Sequence, residues 1–294
     1  MNPTINTYFS GIGVGDAGLI RAGINIGQSF ELDATACKIQ RENLGDHVIQ
    51  ADLTQTLVLD EIAADGAVFT YPCKKYSTIA DIHDTRTGDE LFLHALRRLA
   101  IARPEVYAVE NVPGMRKFPV VMEAMTKMPD YYIQVFCPIQ SSTWLPQRRD
   151  RLIIIGSKKR FNWQPPTPSK RIRLRDILET DPRVTRPKAI RARMMGEYRD
   201  LPIISDPEKD DIAPTCVAHY AKDKSTRLVA DKRFPLGVRP YSVREFARLQ
   251  GLPDSFTFNC SDTDAYRGIG NGVSEPVGYW LGTEFKRYFN RKAA

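Results

Sequence analysis

The sequence predicts an α/β protein: a doubly wound, mostly parallel sheet with a smaller, irregular region set into its second half. Three observations predict it. Short apolar runs alternate with amphipathic stretches from residue 5 to 156. The first run ends in a glycine-rich turn, SGIGVGDAG. After Gly156 the texture changes, and proline and basic residues replace the periodic pattern up to about residue 240.

The elements follow in order. INTYF (5–9) is a strand that stops at the glycines, and SFELD (29–33) is a second. ATACKIQREN (34–43) is helical. GAVFTYP (66–72) is a strand closed by Pro72. In ELFLHALRRLAIAR the apolar residues at 91, 92, 93, 96, 99 and 100 have helical spacing. VYAVEN (106–111) is a strand stopped by Pro113 and Gly114, and YYIQVFC and RLIIIGS are two more. In PYSVREFARLQG, Ser242 and Glu245 form a capping-box pattern. Phe246 and Leu249 share a face there, and Gly251 ends the helix. VGYWLGTEFKRYF is a final helix. The expected division is a first part over 1–156, a second region over 157–238, and a return to the first part over 239–294.

A chain of 294 residues with 42% hydrophobic and 26% charged content is that of a soluble globular protein with a sizeable core. The five cysteines, at 37, 73, 137, 216 and 260, form no C-x-x-C pair. That argues against a disulfide framework or a zinc knuckle and for a reducing compartment. No stretch is apolar for long enough to span a bilayer. The expected location is the cytoplasm: bacterial cytoplasm or nucleoid, or host cytoplasm for a phage-encoded protein. Between Ser157 and Arg199, thirteen Lys/Arg stand against four Asp/Glu, a net of +9 within a total of +7. One basic block carries the whole excess. It suits a polyanion such as nucleic acid, or is a solvated basic loop.

Four segments carry chemistry. Gly13, Gly15 and Gly18 match G-x-G-x-x-G after a strand, with Glu31 and Asp33 near the distance of a ribose-binding acid. A nicotinamide dinucleotide and S-adenosylmethionine would both use such a loop; so would a turn that merely needs glycine. Cys73 follows a strand end, and Lys74 and Lys75 would lower its pKa if they point toward it. An isolated cysteine is otherwise an inert buried thiol. Glu110 and Asn111 end another strand on the same sheet edge. In QRRDR (147–151), Arg149 and Arg151 alternate and so share a face, able to position an acid, a phosphate or a substrate. A nicotinamide oxidoreductase accounts for the glycine loop alone. A non-enzymatic DNA-binding module accounts for the basic block alone.

Together and in this order, these segments resemble the DNA (cytosine-5) methyltransferase family. The resemblance is carried by FSGIGVG (9–15), ELD (31–33), AD (51–52), PC (72–73), ENVPGM (110–115), QRRDR (147–151), RPYSVREFARLQGLPDSF (239–256) and GNGVSEPV (270–277). It spans the chain except for roughly residues 157–238, where that family keeps its variable target-recognition region. One departure stands out. The family commonly has Gly-Pro-Pro-Cys-Gln around its nucleophile; here it is Thr-Tyr-Pro-Cys-Lys, with Tyr71 for a proline and Lys74 for the glutamine.

The resemblance implies a Rossmann-like methyltransferase sheet with a small, irregular target-recognition domain. It implies Cys73 as nucleophile, Glu110 as the residue that hydrogen-bonds the cytosine, and Arg149, supported by Arg151, as what orients the base. For the cofactor S-adenosyl-L-methionine it implies Phe9, Gly11 and Gly13 around the methionine part, Glu31 at the ribose, Asp52 at the adenine amino group, and Asn271 and Val273 from the late motif. No metal is implied. The expected partner is double-stranded DNA, acted on by a monomer, with a cognate restriction endonuclease left open. The tRNA-methylating branch of the same family is the nearest alternative.

Overall fold

The computed structural model describes residues 2–55, 60–72, 90–184, 188–197, 199–200 and 203–293. Contacts divide the chain into two compact units. The first holds Met1–Ile139, Asp150–Thr167 and Val273–Ala294; the second holds Gln140–Arg149 and Pro168–Gly272. Residues 239–272 thus group with the second unit, whereas the sequence pattern joins them to the first. The basic block is divided too: Lys158, Lys159 and Arg160 belong to the first unit.

The first unit is built on seven strands among the described residues: β1 (Thr4–Tyr8), β2 (Asn25–Glu31), β3 (Val48–Gln50), β4 (Gly66–Phe69), β5 (Val106–Asn111), β6 (Tyr132–Gln140) and β7 (Asp150–Ser157). Their order is β3-β2-β1-β4-β5-β7-β6. Pairings are parallel from β3 through to β5, and β7 runs antiparallel to β5. The order reverses between β1 and β4, so the ligand crevice of such a sheet lies at the carboxyl ends of these two strands.

Both sheet faces are covered. The helices of this unit are α1 (Val14–Arg21), α2 (Ala34–Leu44), α3 (Glu90–Ala102), α4 (Pro119–Thr126) and, from the chain's end, Glu275–Ala293. On one face Tyr8, Phe30, Phe69 and Tyr107 pack with Phe92 and Leu99 of α3 and Met125 of α4. On the other, Thr7 of β1 meets α1 through a hydrogen bond to Asp16. The alternation of β1 sends its neighbours Thr7 and Tyr8 to opposite faces. Helix α2 starts where Asp33 accepts from the backbone of Ala36, so Asp33 is a cap.

The first and last helices touch backbone to backbone. A Cβ on Gly18 would stand 2.1 Å from the carbonyl oxygen of Glu275, and one on Gly278 would stand 2.1 Å from that of Gly15. The third glycine of the G-x-G-x-x-G pattern therefore serves helix packing. Gly18→Ala gains about 1 kcal/mol of helix propensity. It must also push the two helices apart, an overpacking cost of about 3 kcal/mol. Overlap wins, and the melting temperature is expected to fall by roughly 3 °C. A calorimetric scan checks this; an unchanged transition would mean that the helices slide apart freely.

The second unit has a three-stranded sheet in the order β10-β9-β8, from β8 (Ile203–Ser205), β9 (Arg227–Ala230) and β10 (Val238–Pro240). Its helices are α5 (Leu174–Ile177), α6 (Ala189–Met195), α7 (Val243–Leu249) and α8 (Asp262–Asn271). With these counted, the terminal helix is α9. The core of the small sheet is Ile190, Leu228 and Val238. Beside it, buried Arg239 forks onto both Glu245 carboxylate oxygens at 2.7 and 2.8 Å and onto Asp231 at 2.7 Å. Ser242 and Glu245 form the expected capping box, and Gly251 takes a left-handed φ of 85° just past α7. Part of the basic block is neutralised locally: Arg171 pairs with Asp210, Arg173 with Asp176 and Arg193 with Asp223.

Candidate active site

The loop after β1 is held in an unusual backbone conformation. Phe9, Gly11 and Gly13 all have positive φ, at 61°, 60° and 81°. For phenylalanine this is strained, and the surroundings enforce it. Its N–H donates to Phe30, its carbonyl accepts from the Thr70 hydroxyl, and its ring meets Tyr71 edge-on. Glu31, at the end of β2, accepts from the backbone N–H of Gly11 at 2.8 Å and from those of Leu32 and Asp33. A Cβ on Gly11 would meet nothing within 4 Å, so that side of the loop is open. Gly13 is closed in by Gln40 and Leu44 of α2. Gly15 packs on Val273, which brings that residue of the late motif beside the glycine turn.

Asp52 follows β3 and accepts from both the hydroxyl and the N–H of Thr54, which hold its carboxyl below the usual range. It is ionised at neutral pH. Asn271 is the last residue of α8, in the second unit, and is exposed. An open glycine loop, a fixed carboxylate at its edge and a second acid after the next strand suit an adenosyl-containing group with hydroxyl and amino donors.

At β5, Glu110 is 7% exposed. It forms a 2.7 Å ion pair with the Nε of Arg151. The register explains the meeting. Glu110 lies directly across from Ile153, and Arg151 is two residues along the same face of β7. Asn111 donates to the carbonyl of Tyr71, tying the end of β5 to the chain that leads toward the sequence Pro72–Cys73. Cys73 itself, like Lys74, lies outside the described residues. Tyr71 is buried, with its hydroxyl against the Met115 sulfur, so the residue that departs from the family pattern fills core space. Burial pushes the Cys37 thiol up to about 11 and that of Cys216 up to about 12, so neither is a ready nucleophile.

Arg149 departs from expectation. Strand β7 begins at Asp150, so strand alternation does not reach Arg149. Its guanidinium is buried and donates to the carbonyls of Cys216 (3.0 Å), Gly270 (3.0 Å) and Gly272 (2.7 Å). These bonds tie together the backbone of the second unit, a structural role beside the base contact that the resemblance implies for it. Gln147 and Gln250 work beside it. Gln147 donates to Leu249 and accepts from the N–H of Cys216; Gln250 donates to Ile269 and Gly272. These two glutamines were missed in the sequence, although Gln147 opens the QRRDR segment.

Compared with known proteins, the sequence model described as C-5 cytosine-specific DNA methylase matches residues 4–287. The chain belongs to that family. It is a DNA (cytosine-5) methyltransferase, and the nicotinamide and non-enzymatic readings fall. The methyltransferase is 28% identical over 275 residues to the Type II methyltransferase M1.ScrFI of Lactococcus lactis subsp. cremoris, covering 85% of this chain and 69% of that protein. It is 28% identical over 298 residues to M.SsoII of Shigella sonnei, covering 92% and 76%. In fold it is similar to the Entamoeba histolytica methyltransferase EhMeth, with a TM-score of 0.78 at 18% identity, covering 98% of this chain and 99% of that one. The methyltransferase thus has the Rossmann-like α/β sheet expected of it. Among its described residues, no helix is long and apolar enough to cross a membrane.

Proposed function

We propose that this methyltransferase transfers a methyl group from S-adenosylmethionine to C5 of a cytosine flipped out of a short duplex target, through a covalent bond between Cys73 and C6. The observation that supports it most is the Glu110–Arg151 pair at the carboxyl edge of the sheet.

C5 of cytosine is a poor nucleophile. The Cys73 thiolate adds to C6, and the electron pair of the 5,6 double bond moves toward C5. Glu110 binds the edge of the base that carries N3 and the amino group, where charge develops on attack. Arg151 holds the Glu110 carboxyl and offers its remaining donors to the base's carbonyl oxygen. S-adenosylmethionine, when bound, supplies the electrophilic methyl group. Glu31 takes the ribose hydroxyls, Asp52 the adenine amino group, and Phe9, Gly11 and Gly13 line the methionine part. Val273 backs the loop, and Asn271 belongs to the same late motif. A base then removes the C5 proton, and the thiolate leaves as the double bond re-forms.

The target atom is hidden in a duplex, so the base is turned out of the stack. Cations of the recognition region not taken up by internal pairs grip phosphates while the second unit reads base edges. The enzyme acts as a monomer, and the Type II relatives motivate a cognate restriction endonuclease as its partner.

The test is mass spectrometry of nucleosides from unmethylated duplex DNA, and from tRNA, each incubated with protein and S-adenosylmethionine. 5-Methylcytosine is expected on DNA, and bisulfite sequencing then gives its site. The mark on tRNA alone would transfer the activity to that branch of the family. No mark on either would overturn the reading.

A further inference from the structure

Beneath the loop at Phe9–Gly13 lies a buried polar chain that the reaction does not use. Asp16, in the first turn of α1, is 5% exposed, and Gln40 of α2 is fully buried. One carboxylate oxygen of Asp16 accepts from the Ser29 hydroxyl at 2.7 Å, the Gln40 amide at 2.8 Å and the Thr7 hydroxyl at 2.9 Å. The other end of the Gln40 amide accepts from the Ser10 hydroxyl at 2.9 Å. Gln40 also lies against Gly13, where a Cβ would come within 2.8 Å of its Cγ. The turn between these two points is closed by the N–H of Gly13 donating to the carbonyl of Ser10.

Burying a carboxylate is costly, and burial pushes the Asp16 carboxyl up despite its donors. A core that needed only to be filled would use an apolar residue. What Asp16 supplies is a fixed acceptor that orients the Gln40 amide. With the amide nitrogen committed to Asp16, its oxygen is committed to Ser10. Gln40 thereby faces the loop from the same helix that Glu31 precedes. The loop is gripped twice: at the Gly11 N–H by Glu31 and at the Ser10 hydroxyl by Gln40.

We propose that Gln40 is a positioning residue for the cofactor loop, relaying the buried Asp16 carboxylate to Ser10. Its substrate-side consequence rests on the cofactor reading given above. The loop carries three residues of positive φ, so without the tether it relaxes toward ordinary backbone angles and the open face at Gly11 loses its shape.

The test uses the full-length protein in four variants: Gln40→Met, which keeps length and volume, Ser10→Ala, Ser10→Thr and the double variant Gln40→Met with Ser10→Ala. S-adenosylhomocysteine binding is measured by calorimetry. Amide exchange at Gly11 and Gly13 is measured without ligand. Gln40→Met and Ser10→Ala are each expected to weaken binding by roughly fivefold to tenfold, the size of one neutral hydrogen bond. Each is also expected to speed loop exchange by a similar factor. The double variant should be no worse than Gln40→Met alone, because both remove one shared link. Ser10→Thr should restore both readouts. Binding and loop exchange within twofold of wild type in Gln40→Met and Ser10→Ala would overturn the proposal, even if the melting temperature fell. If the wild type does not bind S-adenosylhomocysteine, the cofactor reading falls, and loop exchange alone decides the tether.

Discussion

Cys73→Ser is expected to yield no detectable 5-methylcytosine, a loss of at least about 10⁴-fold, while S-adenosylhomocysteine binding stays within twofold of wild type. A serine hydroxyl is almost wholly protonated at neutral pH and is a far weaker nucleophile than a thiolate. Under the proposed mechanism, with no bond to C6 nothing drives electron density onto C5. Glu110→Gln provides the comparison. It keeps the shape of the side chain but loses the charge that pairs with Arg151 at 2.7 Å. An amide can no longer pass a proton to N3 as negative charge builds there, so a loss of roughly 10²–10⁴ in turnover is expected, with the fold intact. Quantitative nucleoside mass spectrometry separates the two variants. Methylation by Cys73→Ser at a tenth of the wild-type rate would refute covalent catalysis here.

Arg149→Ala is expected to act on a different quantity. The side chain bridges Cys216, Gly270 and Gly272 from inside the second unit. Removing it strips the charged donors from the Cys216 and Gly270 carbonyls, while Gln250 still reaches that of Gly272. Buried acceptors left without donors cost about 1–3 kcal/mol each, and the emptied space adds to that. The expected loss is about 4 kcal/mol of stability, seen as a large shift of the urea midpoint. Arg149→Lys recovers little, because a single ammonium cannot span three carbonyls as a planar fork can. Arg151→Ala also leaves the buried Glu110 carboxyl without its partner and so lowers the urea midpoint, but unlike Arg149→Ala it should cut methylation far more than its stability loss explains. An Arg149→Ala protein with wild-type stability and lost turnover would return Arg149 to the base.

The sheet of the first unit was legible because each strand is short, apolar and punctuated. GAVFTYP and VYAVEN end at prolines, and both are strands in the structure. Helix α2 and the capping box at Ser242 were legible from local chemistry. The short β3 was not, since VIQ is too brief to show a period. Nor was α8: it sits among SDTDAYRG, where a run of acids at the helix start masks its apolar side. Glu110 with Arg151 could be suspected from order along the chain, but their pairing needs the β5–β7 register. Arg149 lies one residue before β7, so alternation could not show its bonds to the Cys216, Gly270 and Gly272 carbonyls. Asp16 and Gln40 gave no signal at all; a buried polar chain is defined by three-dimensional neighbours, and nothing in residue type or spacing marks it.

The contact of Gly18 with Glu275 joins the first helix of the chain to its last. On a ribosome adding about 5–20 residues per second, the partner of α1 emerges roughly 10–50 s after α1 itself. The packing surface of the nascent first helix stays uncovered for all of that time, while a whole second unit is made in between. Such non-local closure folds slowly and leaves apolar surface open to misassociation. Helix α9 is therefore the step that completes the seven-stranded unit, and a protein truncated before it would be a client for chaperones rather than a weaker enzyme.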